Sequence, residues 1–291
     1  MLYITYALNG LVMIGLPLAL GFFLSRRFGA RWSVFGLGMA SFLASQIIHL
    51  PLVLWLQTSV VPAPKTSWEL LVYAAMLGLL AGLFEGAARY LVLRYWAKSA
   101  RTWREALMFG AGHGGLEAII LGVLVLVAYV NMVALRNANL SVLGLSADQQ
   151  AALAKQLAAY WSAPWYLTLL GAVERLFALC LHVSAAVLVM RAITRHNLLW
   201  LGAAVLWHAL IDGTTVLAAG VHLAAVRIEG VLGAFALASL LIIFVLRPRQ
   251  PEPAVEAAPS VIVAGAPASP RSMDKVQAEA KEQVDQSKYS D

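Results

Sequence analysis

Residues 109–130 read FGAGHGGLEAIILGVLVLVAYV. The second half of this stretch is apolar enough to lie in lipid. The first half sets a histidine, His113, and a glutamate, Glu117, in the same run and surrounds the histidine with glycine. A run of about 20 apolar residues is long enough to cross the hydrocarbon core of a bilayer. The fold depends on whether this stretch is a buried helix of a soluble core or a membrane span.

The rest of the chain answers in favour of the membrane. Of its 291 residues 61% are hydrophobic and 12% are charged, and the mean hydropathy is +0.76. A soluble domain carries about 25% charged residues. Comparable apolar runs recur, and they predict an all-α polytopic membrane protein with seven transmembrane helices, near 2–24, 33–57, 68–95, 104–132, 164–191, 197–219 and 222–246. Arg26 and Arg27 follow the first apolar run instead of preceding it, so this run reads as a permanent helix and not a cleaved leader. The single cysteine, Cys180, excludes an intramolecular disulfide and a multi-cysteine metal site.

Basic residues alternate between the two sides. Arg26, Arg27 and Arg31 join the first two helices, and Arg94, Lys98, Arg101 and Arg104 join the third and fourth. Arg191 and Arg195 join the fifth and sixth, and Arg247 and Arg249 follow the seventh. Positive charge favours the cytoplasmic side, which places the N-terminus outside and the C-terminus in the cytoplasm. The long connection 133–163 contains a segment from Ser146 with the signature of a capped amphipathic helix, expected on the outer surface or against the helix ends.

From residue 247 the composition turns to Ala, Pro, Ser and charge, so 1–246 is expected to form the transmembrane domain and 247–291 a disordered cytoplasmic tail. The tail holds six basic and seven acidic residues, leaving fifteen and eight for the rest. The net charge of +6 therefore reflects membrane topology and gives no reason to expect a nucleic-acid partner.

Four of those eight acids sit inside apolar runs: Glu85, Glu117, Glu174 and Asp212. His113, His182 and His208 share their helices, as do Arg89 and Arg175. An ionisable group at mid-bilayer costs about 2.5–3.5 kcal/mol on insertion scales, so these nine must face one another or a wet cavity. Glu85 and Arg89, His113 and Glu117, and His208 and Asp212 are each four apart, on one helix face. Counted from the basic ends at about 1.5 Å per residue, Glu85, His113, His182 and His208 fall roughly 13–18 Å deep, in one layer. The glycines at 110, 112, 114 and 115 let helices approach and read as space left for a water or a peptide backbone. Glu174 and Arg175 are adjacent, point about 100° apart on a helix, and are expected to serve different neighbours in a supporting role. His49, in SQIIHLP, has no partner at helical spacing and reads as a packing residue.

In order, the motifs are E-x-x-x-R (Glu85, Arg89), G-H-G-G-x-E (His113, Glu117), E-R-x6-H (Glu174, Arg175, His182) and H-x-x-x-D (His208, Asp212). This order resembles the YhfC family of intramembrane proteases, which looks related to the PrsW-like and CAAX-prenyl-protease-like membrane peptidases. The related peptidases usually double the acid of the first motif; Phe84 precedes Glu85 here. The resemblance implies hydrolysis of peptide bonds in membrane-anchored substrates, within a bacterial plasma membrane. Glu85 or Glu117 would activate water as general base. A neutral histidine or an arginine can stabilise the oxyanion; His182 and His208 would bind it or donate to the leaving amine, with Asp212 orienting His208. Alternatively His113, His182 and His208 bind one zinc ion beside a glutamate base. The motifs lack the H-E-x-x-H spacing of zinc proteases, which favours the route without a cofactor. A proton- or ion-coupled transporter using the same cluster as a relay is the competing class. It predicts an inverted repeat and a path open to both sides, and neither is visible in the sequence.

Overall fold

Thr66, Thr102 and Ser146 each begin a helix in the same way. The hydroxyl accepts from the backbone N–H three residues on, and the Glu69, Glu105 or Gln149 side chain there returns a bond to the cap residue. These reciprocal bonds satisfy two N–H groups that a helix start leaves open. In the computed structural model, which describes residues 1–248, the helices are α1 (Leu2–Phe28), α2 (Trp32–Trp55), α3 (Ser67–Leu91), α4 (Trp103–Leu135), α5 (Ala147–Ser162), α6 (Leu170–Thr194), α7 (Leu199–Gly220) and α8 (Ala225–Val245). No strand occurs among the described residues. The expected tail lies outside them apart from its first two residues.

All helices but α5 are long and apolar enough to cross a membrane, seven spans among the described residues. Their boundaries follow local chemistry. Gly29 ends α1 in the left-handed conformation, φ 67°, which glycine adopts without strain. The expected fifth span starts later than the sequence suggested. Pro164 has no N–H to donate, and a short turn through Leu167–Leu169 precedes α6.

α4 and α6 form the centre. α4 packs against α1, α2 and α6, while α6 packs against α4, α7 and α8; α3 is closely joined to α7. Residues 105–115 of α4 and 181–190 of α6 are buried without interruption. A helix apolar all round is one enclosed by other helices. These two halves lie at the end of the bundle that carries the arginine-rich loops. There Leu93, Phe109, Met108, Val187 and Val189 make a continuous core. The loops at this end are tied down as well. Arg31 pairs with Glu105, and Arg101 donates to the carbonyls of Leu93, Ala97 and Ala100.

The capped helix expected from Ser146 is present as α5, and it packs on the helix ends. Tyr160 stacks on Tyr6 with ring centres 3.9 Å apart, and Arg136 lies over Trp161 at 4.6 Å.

The glycines around His113 do not leave open space. A Cβ on Gly112 would stand 2.0 Å from the Phe35 carbonyl oxygen of α2. One on Gly110 would meet Val183 of α6 at 2.6 Å, and one on Gly114 would meet the His182 ring at 2.4 Å. The room expected for substrate is filled by neighbouring helices, because the missing side chains are used to bring α2 and α6 against α4.

Candidate active site

Four helices deliver their polar side chains to one oxygen atom. Glu85 Oε2, on α3, lies 2.9 Å from Arg89 and 3.1 Å from His113 Nε2 of α4. It lies 3.6 Å from His208 Nε2 of α7 and 3.8 Å from His182 Nδ1 of α6. The layer inferred from depth counting is thus present as direct contact. All five residues are buried, Arg89 and His113 almost completely.

Proton positions follow from the donors. A guanidinium only donates. Arg89 reaches His182 Nδ1 at 2.7 Å, so Nδ1 accepts and Nε2–H donates to Glu117 Oε2, 2.8 Å away. Arg89 also faces His208 Nδ1 at 3.5 Å, which leaves Nε2–H of His208 toward Asp212 Oδ2 at 3.1 Å. His113 Nδ1 meets Ser41 Oγ of α2 at 2.7 Å. Ser41 Oγ is also 2.7 Å from the Gly38 carbonyl; when its proton goes there, Nδ1–H of His113 donates to Ser41.

One expected pairing is replaced by others, and one pair expected to stay apart forms. His113 and Glu117 are four apart, but each finds partners on other helices: His113 on Glu85 and Ser41, Glu117 on His182 and Arg175. Glu174 and Arg175, expected to serve different neighbours, bind each other, and Arg175 bridges onward to Glu117. A long guanidinium reaches across the angle that separates adjacent Cβ atoms.

α2 is the wall that sequence reasoning missed. Besides Ser41 it supplies Gln46, whose amide donates to Glu85 Oε1 at 3.4 Å. It also supplies His49, which is 3.3 Å from Gln46 Oε1 and stacked on Phe84. The packing role expected for His49 is therefore incomplete, since it also lines the cleft described below. The signal was the stripe Ser41, Ser45, Gln46, His49. These side chains carry no formal charge, so they stand out less in an apolar run than the four buried acids do.

A cleft of about 310 Å³ leads to this cluster, lined by Gln46, Glu117, His182, His208 and Asp212 among others. Exposure rises along it: Glu85 is 7% exposed, Glu117 23%, Asp212 36% and Glu174 39%. Glu85, His113 and His182 each present a ligand atom within 4.8 Å of the others. His208 is outside this group; its Nε2 is taken by Asp212 at 3.1 Å. The ligand set that the geometry offers is therefore one carboxylate and two imidazoles, where three histidines had been considered.

The fold and the site define an integral membrane protein built around a buried glutamate–histidine cluster that a metal ion would suit. The profile of the YhfC intramembrane metalloprotease family matches residues 12–232, and the chain belongs to that family. It is 30% identical over 213 residues to the uncharacterized membrane protein YhfC of Bacillus subtilis (strain 168), covering 72% of this chain and 83% of that one. No solved structure matches it.

Proposed function

We propose that this protein hydrolyses peptide bonds of membrane-anchored substrates, with Glu117 as the general base. The observation that carries the reading is the contrast between two glutamates. Four nitrogens surround Glu85 Oε2 in a buried setting. Glu117 stands at the cleft, partly exposed, with one oxygen on His182 and the other on Arg175. Each carboxylate oxygen accepts more than one bond, so Glu117 keeps capacity for a water proton. Arg175 and His182 hold it in place.

The family implies a metal, and the donor set fits one. Two imidazoles and a carboxylate match the ligand chemistry of catalytic zinc sites. Four carboxylates, of Glu85, Glu117, Glu174 and Asp212, are balanced by two guanidiniums, of Arg89 and Arg175. With neutral histidines two negative charges remain in an apolar bundle, matching a divalent ion. Glu85, His113 and His182 would hold it, His182 giving up its bond from Arg89. Such an ion supplies a Lewis acid and makes a bound water acidic near neutral pH. Glu117 would take the water proton and return it to the leaving amine; the Nε2–H of His208 stays on Asp212, so these two would act as positioning residues beside the cluster.

A transport relay has less support. The cleft leads to the cluster from one side, and on the other side the core of Leu93, Met108 and Phe109 is packed solid.

The test uses the detergent-purified full chain with a panel of membrane-anchored peptides and metal analysis. The expected result is cleavage with one metal ion per chain, the metal lost in His113→Ala and Glu85→Ala and retained in an inactive Glu117→Gln. Cleavage that survives Glu117→Gln would overturn the base assignment, and full activity in metal-free protein would overturn the metal.

A further inference from the structure

The cluster is not placed symmetrically in the bundle. At the arginine-loop end it rests on side chains with almost no exposure: Val92 1%, Leu93 0%, Met108 0%, Phe109 0%, Val187 1% and Val189 0%. Glu105 is also buried at this end, paired with Arg31. In the other direction the helices separate around the cleft. Its walls continue from the cluster to Val53 near the end of α2, Leu77 of α3, Phe177 near the start of α6 and Thr215 and Val216 near the end of α7. Every one of these positions lies toward the ends joined by the arginine-poor connections. α2 packs on α3 and α4, whereas α8 packs on α6 and α7. The two sides of the cleft are joined to each other through α3–α7 and α4–α6.

An ionised carboxylate facing hydrocarbon is costly. Asp212 and Glu174 are nonetheless more than a third exposed, so the space they face holds water. The wet, graded side of the site is therefore the side away from the arginine loops, which on the positive-inside bias is the outer side.

We propose that water and substrate reach the cluster only from the outer side of the membrane, through the cleft between α2 and the α6–α8 group. The protein thus acts on bonds of anchored peptides that enter from the outer half of the bilayer. The apolar walls at Val53, Leu77 and Phe177 would receive an apolar side chain next to the scissile bond. This extends the peptidase reading, which it needs only for the identity of what enters.

The access claim is tested without catalysis. In a Cys180→Ser background, Val53→Cys and Thr215→Cys report the cleft, Ser59→Cys the arginine-poor end, and Ser99→Cys the arginine-rich end; both serines are exposed. Intact cells are treated with a membrane-impermeant maleimide, which needs a hydrated thiolate. The expected result is a mass shift of one reagent per chain for Ser59→Cys, Val53→Cys and Thr215→Cys, and for Ser99→Cys only after permeabilisation. Should either cleft variant fail to accumulate, Val216→Cys reads the same wall. Cleft thiols that label only after permeabilisation, or never while Ser59→Cys does, would overturn the proposal. Labelling from outside with no cleaved peptide would instead leave access standing and remove the peptidase reading.

Discussion

Arg89 donates to His182 Nδ1 across 2.7 Å, joining α3 to α6 with a side chain that is 1% exposed. This contact fixes the tautomer of His182, aims its Nε2–H at Glu117 and, through the same guanidinium nitrogen, holds Glu85 at 2.9 Å. One buried cation thus orients a histidine and both of the central glutamates.

Removing that cation should unbalance the cluster. Arg89→Met leaves Glu85 buried without its guanidinium, and breaking a buried pair costs about 3–5 kcal/mol. Thermal unfolding in detergent should show the loss. The double variant Glu85→Gln/Arg89→Met removes both charges and should recover part of it. A double variant less stable than Arg89→Met would show that the pair is not coupled as the geometry indicates.

Glu117→Gln should lower the cleavage rate by about 10²–10⁴, the usual contribution of a positioned general base. Glutamine keeps an acceptor for His182 Nε2–H but turns its NH2 toward Arg175, which retains Glu174; the unfolding temperature should fall somewhat, so kcat is read where the variant stays folded. A rise in KM at unchanged kcat would instead mark Glu117 as a binding group.

Much of the site was legible because membrane insertion makes buried charge conspicuous. Glu85, His113, His182 and His208 stand out as ionisable residues in apolar runs, depth counting puts them in one layer, and their side chains meet at Glu85 Oε2. Side-chain partners were less legible. Helical spacing pairs His113 with Glu117, yet interhelical neighbours at similar distance win both, and no single-chain pattern reports which helix stands alongside. The glycines were misread for the same reason, since a missing side chain looks alike whether a substrate or Phe35 of α2 fills the gap.

That helix contact makes a stability prediction. A methyl group on Gly112 would meet the Phe35 carbonyl at 2.0 Å, and one on Gly38 would meet the Phe109 carbonyl at 2.1 Å. Both obstacles are backbone, so neither can rotate away. Gly112→Ala should cost at least the roughly 1–3 kcal/mol typical of overpacking. Gly36→Ala, on the exposed side of α2 with nothing within 4 Å, should leave the protein as stable as the parent or up to about 1 kcal/mol more stable. Equal unfolding temperatures for the two variants would contradict the close α2–α4 crossing.

Ser41 provides the most selective test of how the site is held. Its hydroxyl is fully buried, 2.7 Å from both the Gly38 carbonyl and His113 Nδ1. With the serine proton on Gly38, His113 carries its own proton on Nδ1 and turns the Nε2 lone pair toward Glu85, 3.1 Å away. That tautomer is the one a metal ligand needs. Outer hydrogen bonds of this kind are worth about 10–100-fold in metal affinity. Ser41→Ala removes only the oxygen and should weaken metal retention by that factor, read by competition with a chelator. Ser41→Thr keeps the hydroxyl and should restore retention wherever its extra methyl is accommodated. The two variants separate orientation from packing. If Ser41→Ala held metal as tightly as the parent, His113 would be positioned by packing alone, with Phe42 at 5.5 Å as the ring against it.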